Sequence, residues 1–260
     1  MNRRAFLTGS AAGAFTLLAG TRVAKAQPQN PAAVPNQADN PNFPYGETRL
    51  ALADPDNDEL EGVLREGVLY VPKSYKDGVP MPVLCMLHGL AGTSGSARFT
   101  YPLAEEFGVI VVAPESRRIT WGKEIPGFDR DGNYIVEALR YVNRTLYMDP
   151  THVAIGGVSD GATYAISMGL AYGDSFSHLM IFSEGMPVPY RKEGKPKIFI
   201  GHGIHDTQMP IDMTARASVP KLKAEGYDVT YVEYDGGHGA PAPVVRQAFE
   251  WFVGKPAQSK

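Results

Sequence analysis

The chain has 260 residues, 43% hydrophobic and 20% charged, with a formal net charge of −3. Such a mildly acidic balance gives no electrostatic attraction to nucleic acid or to an anionic membrane. A single cysteine, Cys85, excludes an internal disulfide and any multi-cysteine metal site.

The N-terminus carries three signals in order. Asn2-Arg3-Arg4-Ala5-Phe6-Leu7 is a twin-arginine pattern, an apolar stretch runs from Ala11 to Ala19, and Ala24-Lys25-Ala26 offers small residues for cleavage. Together they predict a signal peptide over 1–26, too short and too glycine-rich to span a membrane. The expected partner there is the twin-arginine export machinery, and the expected location of the mature chain is periplasmic or secreted. Cleavage would remove four cations and no acid, leaving a formal charge of −7. Residues 27–45 are rich in Pro, Gln and Asn and read as an extended arm. Residues 46–260 then form one catalytic domain, large enough for a sizeable core and with no second long apolar segment to enter a membrane.

Within that domain, strands are predicted at Leu64–Val71, Val83–Leu87, Val109–Ala113, Val153–Ile155, Leu179–Phe182, Lys197–Ile200 and Val229–Tyr234. Several are continuous apolar runs, as central strands covered on both faces require. Cys85 falls inside one of them and reads as a buried thiol. Helices are predicted at Asp131–Tyr147, Ala162–Tyr172, Ala215–Glu225 and Val244–Phe252. The first carries Ile135, Leu139, Val142 and Leu146 on one face and is stopped by Asp149-Pro150. The alternation predicts an α/β fold with a mostly parallel central sheet and helices on both faces. Ligands of such sheets bind beyond the carboxyl ends of the strands.

Gly157-Val158-Ser159-Asp160-Gly161 stands between a predicted strand and a predicted helix. Gly-x-Ser-x-Gly in that setting is a nucleophile elbow: a strained turn exposes the serine hydroxyl, and its glycines avoid collision. An acyl-transfer serine needs a base and a carboxylate to orient that base. Asp206 follows 47 residues later just past one strand, and His238 follows just past the last, in the chain order serine, acid, histidine.

The oxyanion site needs two backbone N–H donors. They are expected from Asp160, next to the nucleophile, and from Leu90 in His88-Gly89-Leu90-Ala91-Gly92. His88 is expected to support that loop by hydrogen bonding at the edge of the pocket. His152 and His178 open or precede strands and read as structural. His202 and His205 lack further ligands beyond Asp206, so no metal site is assigned. The Asp160 side chain, beside the nucleophile, is not the acid. Trp121 and Phe128 are candidates for the pocket wall, with aromatic core packing as the alternative. No cofactor is called for.

These motifs, spread from Leu60 to Phe252, resemble the alpha/beta-hydrolase superfamily, and more narrowly the bacterial phospholipase/carboxylesterase and dienelactone-hydrolase-like serine esterases. The resemblance implies Ser159 as nucleophile, Asp206 as acid and His238 as base. Asp149-Pro150 and Pro210 fit the same pattern. Two departures stand out. Dienelactone hydrolases proper carry a cysteine where Ser159 stands. Glu184 occupies a place where related esterases often have a small residue or proline, which bears on the polarity of the substrate pocket. Between Phe182 and the acid-bearing strand only Ser183–Pro196 is available, too short for a lid domain, so an open site is expected. The implied activity is hydrolysis of soluble carboxylic esters, whether short-chain, aryl or feruloyl, or polyester oligomers. Peptidase or acyltransferase activity with the same triad is the alternative, and a non-catalytic binding protein on this scaffold is a third reading.

Overall fold

Alternating apolar side chains build the centre of the sheet. In β3 (Met81–Leu87), Val83, Cys85 and Leu87 enter one core layer while Leu84 and Met86 enter the other. β4 (Ile110–Pro114) and β6 (His178–Phe182) divide their residues the same way. This is the period-2 geometry of a strand buried on both faces. Burial pushes the Cys85 thiol up, so it stays protonated in the core.

The computed structural model describes residues 44–55, 64–122 and 130–254. The remaining strands are β1 (Gly46–Ala53), β2 (Leu64–Val71), β5 (Met148–Val158), β7 (Lys197–Gly203) and β8 (Val229–Tyr234). The eight lie in the order β1-β2-β4-β3-β5-β6-β7-β8. β1 and β2 are antiparallel to their neighbours, and all pairings from β4 through β8 are parallel. The expected α/β fold is therefore observed, with an antiparallel pair at one edge.

Helices α2 (Arg130–Thr145), α3 (Asp160–Ala171) and α4 (Ala215–Ala224) cover one face of the sheet. α1 (Tyr101–Phe107) and α5 (Ala242–Val253) cover the other. No helix among the described residues is long and apolar enough to cross a membrane. The predicted signal peptide, most of the predicted arm and Phe128 lie outside the described residues.

Three expectations need correction. β1 was not anticipated, because Glu47 and Arg49 interrupt its apolar pattern. It is an edge strand whose charges pair outward, Glu47 with Arg98 at 2.6 Å and Arg49 with Glu66. The short α1 was missed as well. Asp149-Pro150 does not terminate a helix. α2 ends at Thr145, and Asp149-Pro150 are the second and third residues of β5, so His152 is inside that strand and does not open it.

Candidate active site

Ser159 sits between β5 and α3 with φ 59° and ψ −121°, a backbone conformation that costs about 1–3 kcal/mol and persists only where surroundings enforce it. The surroundings are explicit. The Ser159 N–H donates to the Phe182 carbonyl at 3.0 Å, and its own carbonyl accepts from the Thr163 N–H and hydroxyl, each at 3.0 Å. A Cβ on Gly157 would stand 2.4 Å from the Gly161 carbonyl carbon, and one on Gly161 would stand 2.3 Å from the His88 carbonyl oxygen. The two glycines thus let the elbow close on itself and dock against the end of β3, as the spacing implied.

Asp206 lies in the turn after β7. Its Oδ1 accepts the N–H groups of Gln208 (2.9 Å) and Met209 (2.8 Å), and its Oδ2 accepts His238 Nδ1–H at 2.7 Å. Burial alone would raise this carboxyl. The Met209 N–H, the His238 bond and the Gln208 N–H outweigh it and hold the group below the usual carboxylate range. With Nδ1 donating, His238 presents Nε2 as its basic atom, and that nitrogen is buried with no hydrogen-bond partner in the structure. Aspartate and histidine predicted from the sequence are therefore brought together in the orientation a base requires.

The loop after β3 is fixed from two sides. Ala91, at φ 55°, donates its N–H to the Ile119 carbonyl at 2.6 Å. His88 Nε2 accepts the Ser116 N–H at 3.0 Å, which places the ring proton on Nδ1 and lets it donate to the Gly89 carbonyl at 2.8 Å. This agrees with the supporting role expected of His88, which is buried. Leu90, the expected second oxyanion donor, is 62% exposed on the same loop. Asp160 is the first residue of α3, where N–H groups lack partners within the helix. Its carboxylate accepts the Thr120 hydroxyl at 2.8 Å and the Trp121 N–H at 3.2 Å.

Trp121 is fully buried, so the core-packing alternative holds and the pocket-wall alternative does not. Its Nε1 donates to the His88 carbonyl at 2.8 Å and its ring stacks on Tyr164. Glu184 is also fully buried. With no exposed surface it does not line the pocket; its Oε2 lies 3.1 Å from His202 Nδ1, whose Nε2 lies 3.3 Å from Asp206 Oδ2. His202 and His205 diverge: the first points inward, the second pairs with Asp235 on the surface at 3.0 Å. Among the described residues no group of three or more His, Cys, Asp or Glu is placed to hold a metal ion.

Sequence reasoning missed Ser183. It is fully buried at φ 51°, and its hydroxyl accepts the Gly239 N–H and donates to the Gly239 carbonyl, both at 3.0 Å. It also missed Thr163, whose hydroxyl links the Ser159 carbonyl to the Gly185 N–H at 2.7 Å. The only sequence signal for either is a small hydroxyl residue just past a strand or inside an apolar helix.

Comparison with known proteins agrees with the fold. The family model named Esterase, described as "Putative esterase", matches residues 64–241. No curated protein matches the chain in sequence. Among solved structures, the chain is similar to an S-formylglutathione hydrolase of Staphylococcus aureus, with TM-score 0.65 and 17% identity over 80% of this chain and 98% of that one. It is similar to the fluorophosphonate-binding serine hydrolase F of Staphylococcus aureus, with TM-score 0.65 and 18% identity over 81% and 99%. It is also similar to the butyrate-bound esterase 2 of Thermogutta terrifontis, with TM-score 0.66 and 16% identity over 83% and 97%. At these identities the likeness is one of fold.

Proposed function

The chain belongs to the Esterase family, and on that premise we propose that it is a serine carboxylesterase working through Ser159, His238 and Asp206. The observation that carries the assignment is the 2.7 Å bond from His238 Nδ1 to Asp206 Oδ2, which leaves Nε2 as an unpartnered base. In the first step His238 Nε2 takes the Ser159 hydroxyl proton as Oγ bonds to the ester carbonyl carbon. The oxyanion accepts the N–H groups of Leu90 and Asp160, each worth about 3 kcal/mol in such sites. The carbon–oxygen bond then breaks and the alcohol leaves with the proton from His238. A water attacks the acyl-enzyme, gives its proton to His238, and the acid and free Ser159 are restored.

The substrate we propose is an uncharged ester with apolar flanks: a short-chain, aryl or feruloyl ester, or a polyester oligomer. Leu90, Ile119, Met186, Ile204 and Met213 are exposed on the segments that follow β3, β4, β6 and β7, the sheet edge from which Ser159 also emerges. Segment 183–196 holds no helix or strand that would form a lid. Butyrate bound to the esterase 2 of Thermogutta terrifontis supports a short acyl chain as the first probe. We also propose export: the Arg3-Arg4 pattern and Ala24-Lys25-Ala26 support a periplasmic or secreted mature enzyme beginning at Gln27. N-terminal sequencing of the exported form, and retention inside the cell when Arg3 and Arg4 are both changed to Lys, test that part.

The test of the activity is hydrolysis of p-nitrophenyl acetate and butyrate by the mature protein and by Ser159→Ala. The variant should fold and lose turnover. Retained hydrolysis at the native rate would overturn the assignment.

A further inference from the structure

We propose that the buried Glu184–His202 pair is a positioning unit for Asp206, extending the site into a four-member chain of Glu184, His202, Asp206 and His238. The inference rests on the assignment of Asp206 and His238 above and asks what holds the acid itself. His202 Nε2 lies 2.8 Å from the Met209 carbonyl and 3.3 Å from Asp206 Oδ2. A carbonyl can only accept, so Nε2 carries a hydrogen, and that hydrogen is shared between Met209 and the oxygen that receives the His238 bond. Nδ1, the other ring nitrogen, lies 3.1 Å from Glu184 Oε2. Glu184 therefore fixes the plane of the His202 ring, and the ring presents a donor to Asp206 Oδ2.

Both side chains of the pair are fully buried. A carboxyl in that position needs a proton or a cation, and His202 Nδ1 faces it at 3.1 Å. Burial pushes the Glu184 carboxyl up, while at His202 the Glu184 bond outweighs a burial effect that alone would lower it. The two groups accordingly share one proton between Oε2 and Nδ1, and the pair stays neutral overall. Glu184 Oε1 is buried with no hydrogen-bond partner, an arrangement that core packing alone gives no reason to keep. The carboxylate at Asp206 then has a complete set of donors: two N–H groups on Oδ1, and His238 and His202 on Oδ2.

Ser183 and Glu184 are neighbours at the end of β6, and they act on different members of the site. Ser183 holds the backbone beside His238, and Glu184 holds the ring behind Asp206. One short segment thereby sets the relative position of base and acid, although neither residue touches the reacting atoms.

The test uses the full-length mature enzyme, with active sites counted by fluorophosphonate titration so that misfolded protein does not enter the rate. Glu184→Gln and His202→Leu should each lower kcat per titrated site, by about tenfold or more for His202→Leu, with KM within about twofold. That loss is smaller than the about 10⁴-fold expected when the acid itself fails to hold the right tautomer. His202→Gln, whose amide can still donate toward Asp206, should recover most of the loss. On the unaltered protein, nitrogen-15 NMR of the histidines should show His202 protonated at Nε2, and its signals should shift when Ser159 is phosphonylated. Titrated sites of Glu184→Gln and His202→Leu that turn over at the native rate would overturn the proposal. So would His202 signals unmoved by phosphonylation, even if both variants fail to fold. Failure of the underlying assignment looks different: fluorophosphonate would not label Ser159 in the native enzyme.

Discussion

Ser183 grips Gly239 at two points, accepting its N–H and donating to its carbonyl at 3.0 Å each, one residue beyond His238. The contact crosses from the end of β6 to the loop after β8 and fixes the backbone that carries the base. Tyr234 adds a second bond to the same carbonyl at 2.7 Å. Ser183→Ala removes one donor and one acceptor from a buried site. It should destabilise the protein by about 1–3 kcal/mol in urea unfolding and lower kcat with little change in KM.

The elbow should be intolerant of one methyl group. Gly161→Ala would place Cβ 2.3 Å from the His88 carbonyl oxygen and 2.6 Å from that of Leu87. Backbone cannot yield there without moving β3 from α3, so the cost should be at least about 3 kcal/mol. Gly89→Ala, whose Cβ would stand 3.5 Å from Ser159 Cβ, meets only ordinary contact and should fold normally. Soluble yield and urea midpoints of the two variants distinguish the cases.

Asp206→Asn gives a pH-dependent signature. The folded-state pKa of Asp206 is depressed, so its carboxylate adds stability above the unfolded-state value of about 3.9 and loses that contribution as pH falls through the folded value. The variant should therefore be less stable than the native protein at pH 7, and the gap should narrow on acidification below about pH 4. At pH 7 its kcat should fall by about 10⁴-fold, because the His238 tautomer is no longer held. Denaturant titrations at pH 7 and pH 3.5 read the first effect, and steady-state kinetics the second.

Asp131 fixes the segment after β4 that also contacts Asp160 and Ala91. Its Oδ1 accepts Arg65 at 2.5 Å and the Arg117 N–H at 2.9 Å, and its Oδ2 accepts the Gly122 N–H at 2.6 Å. Arg65 and Asp131 are both buried. Asp131→Ala removes the anionic partner of the buried guanidinium and should cost about 3–5 kcal/mol in unfolding free energy. The same change frees the backbone around Arg117 and Gly122, so hydrogen exchange there should accelerate.

The parts of this protein that could be read from sequence are those whose cause is local. Val83–Leu87 and Leu179–Phe182 announce themselves because both faces of each strand are buried, and Ser159 because it stands in a Gly-x-Ser-x-Gly turn whose Gly157 is demanded by contact with Gly161 four residues on. β1 was hidden because an edge strand keeps Glu47 and Arg49 on its open side. Asp149-Pro150 misled because a proline near a strand's start looks the same in sequence as one that stops a helix. Trp121, Ser183 and Glu184 took their roles from neighbours 33, 56 and 18 residues away, partners set only by the order of strands in the sheet. No local pattern carries that information.

The central claim is that Ser159 is the nucleophile activated by His238. The most direct measurement is mass spectrometry of peptides from the mature protein after reaction with a fluorophosphonate. The adduct should map to Ser159, should vanish in Ser159→Ala, and should form far more slowly in His238→Ala. An adduct on another residue, or labelling of Ser159 at an unchanged rate without His238, would contradict the account.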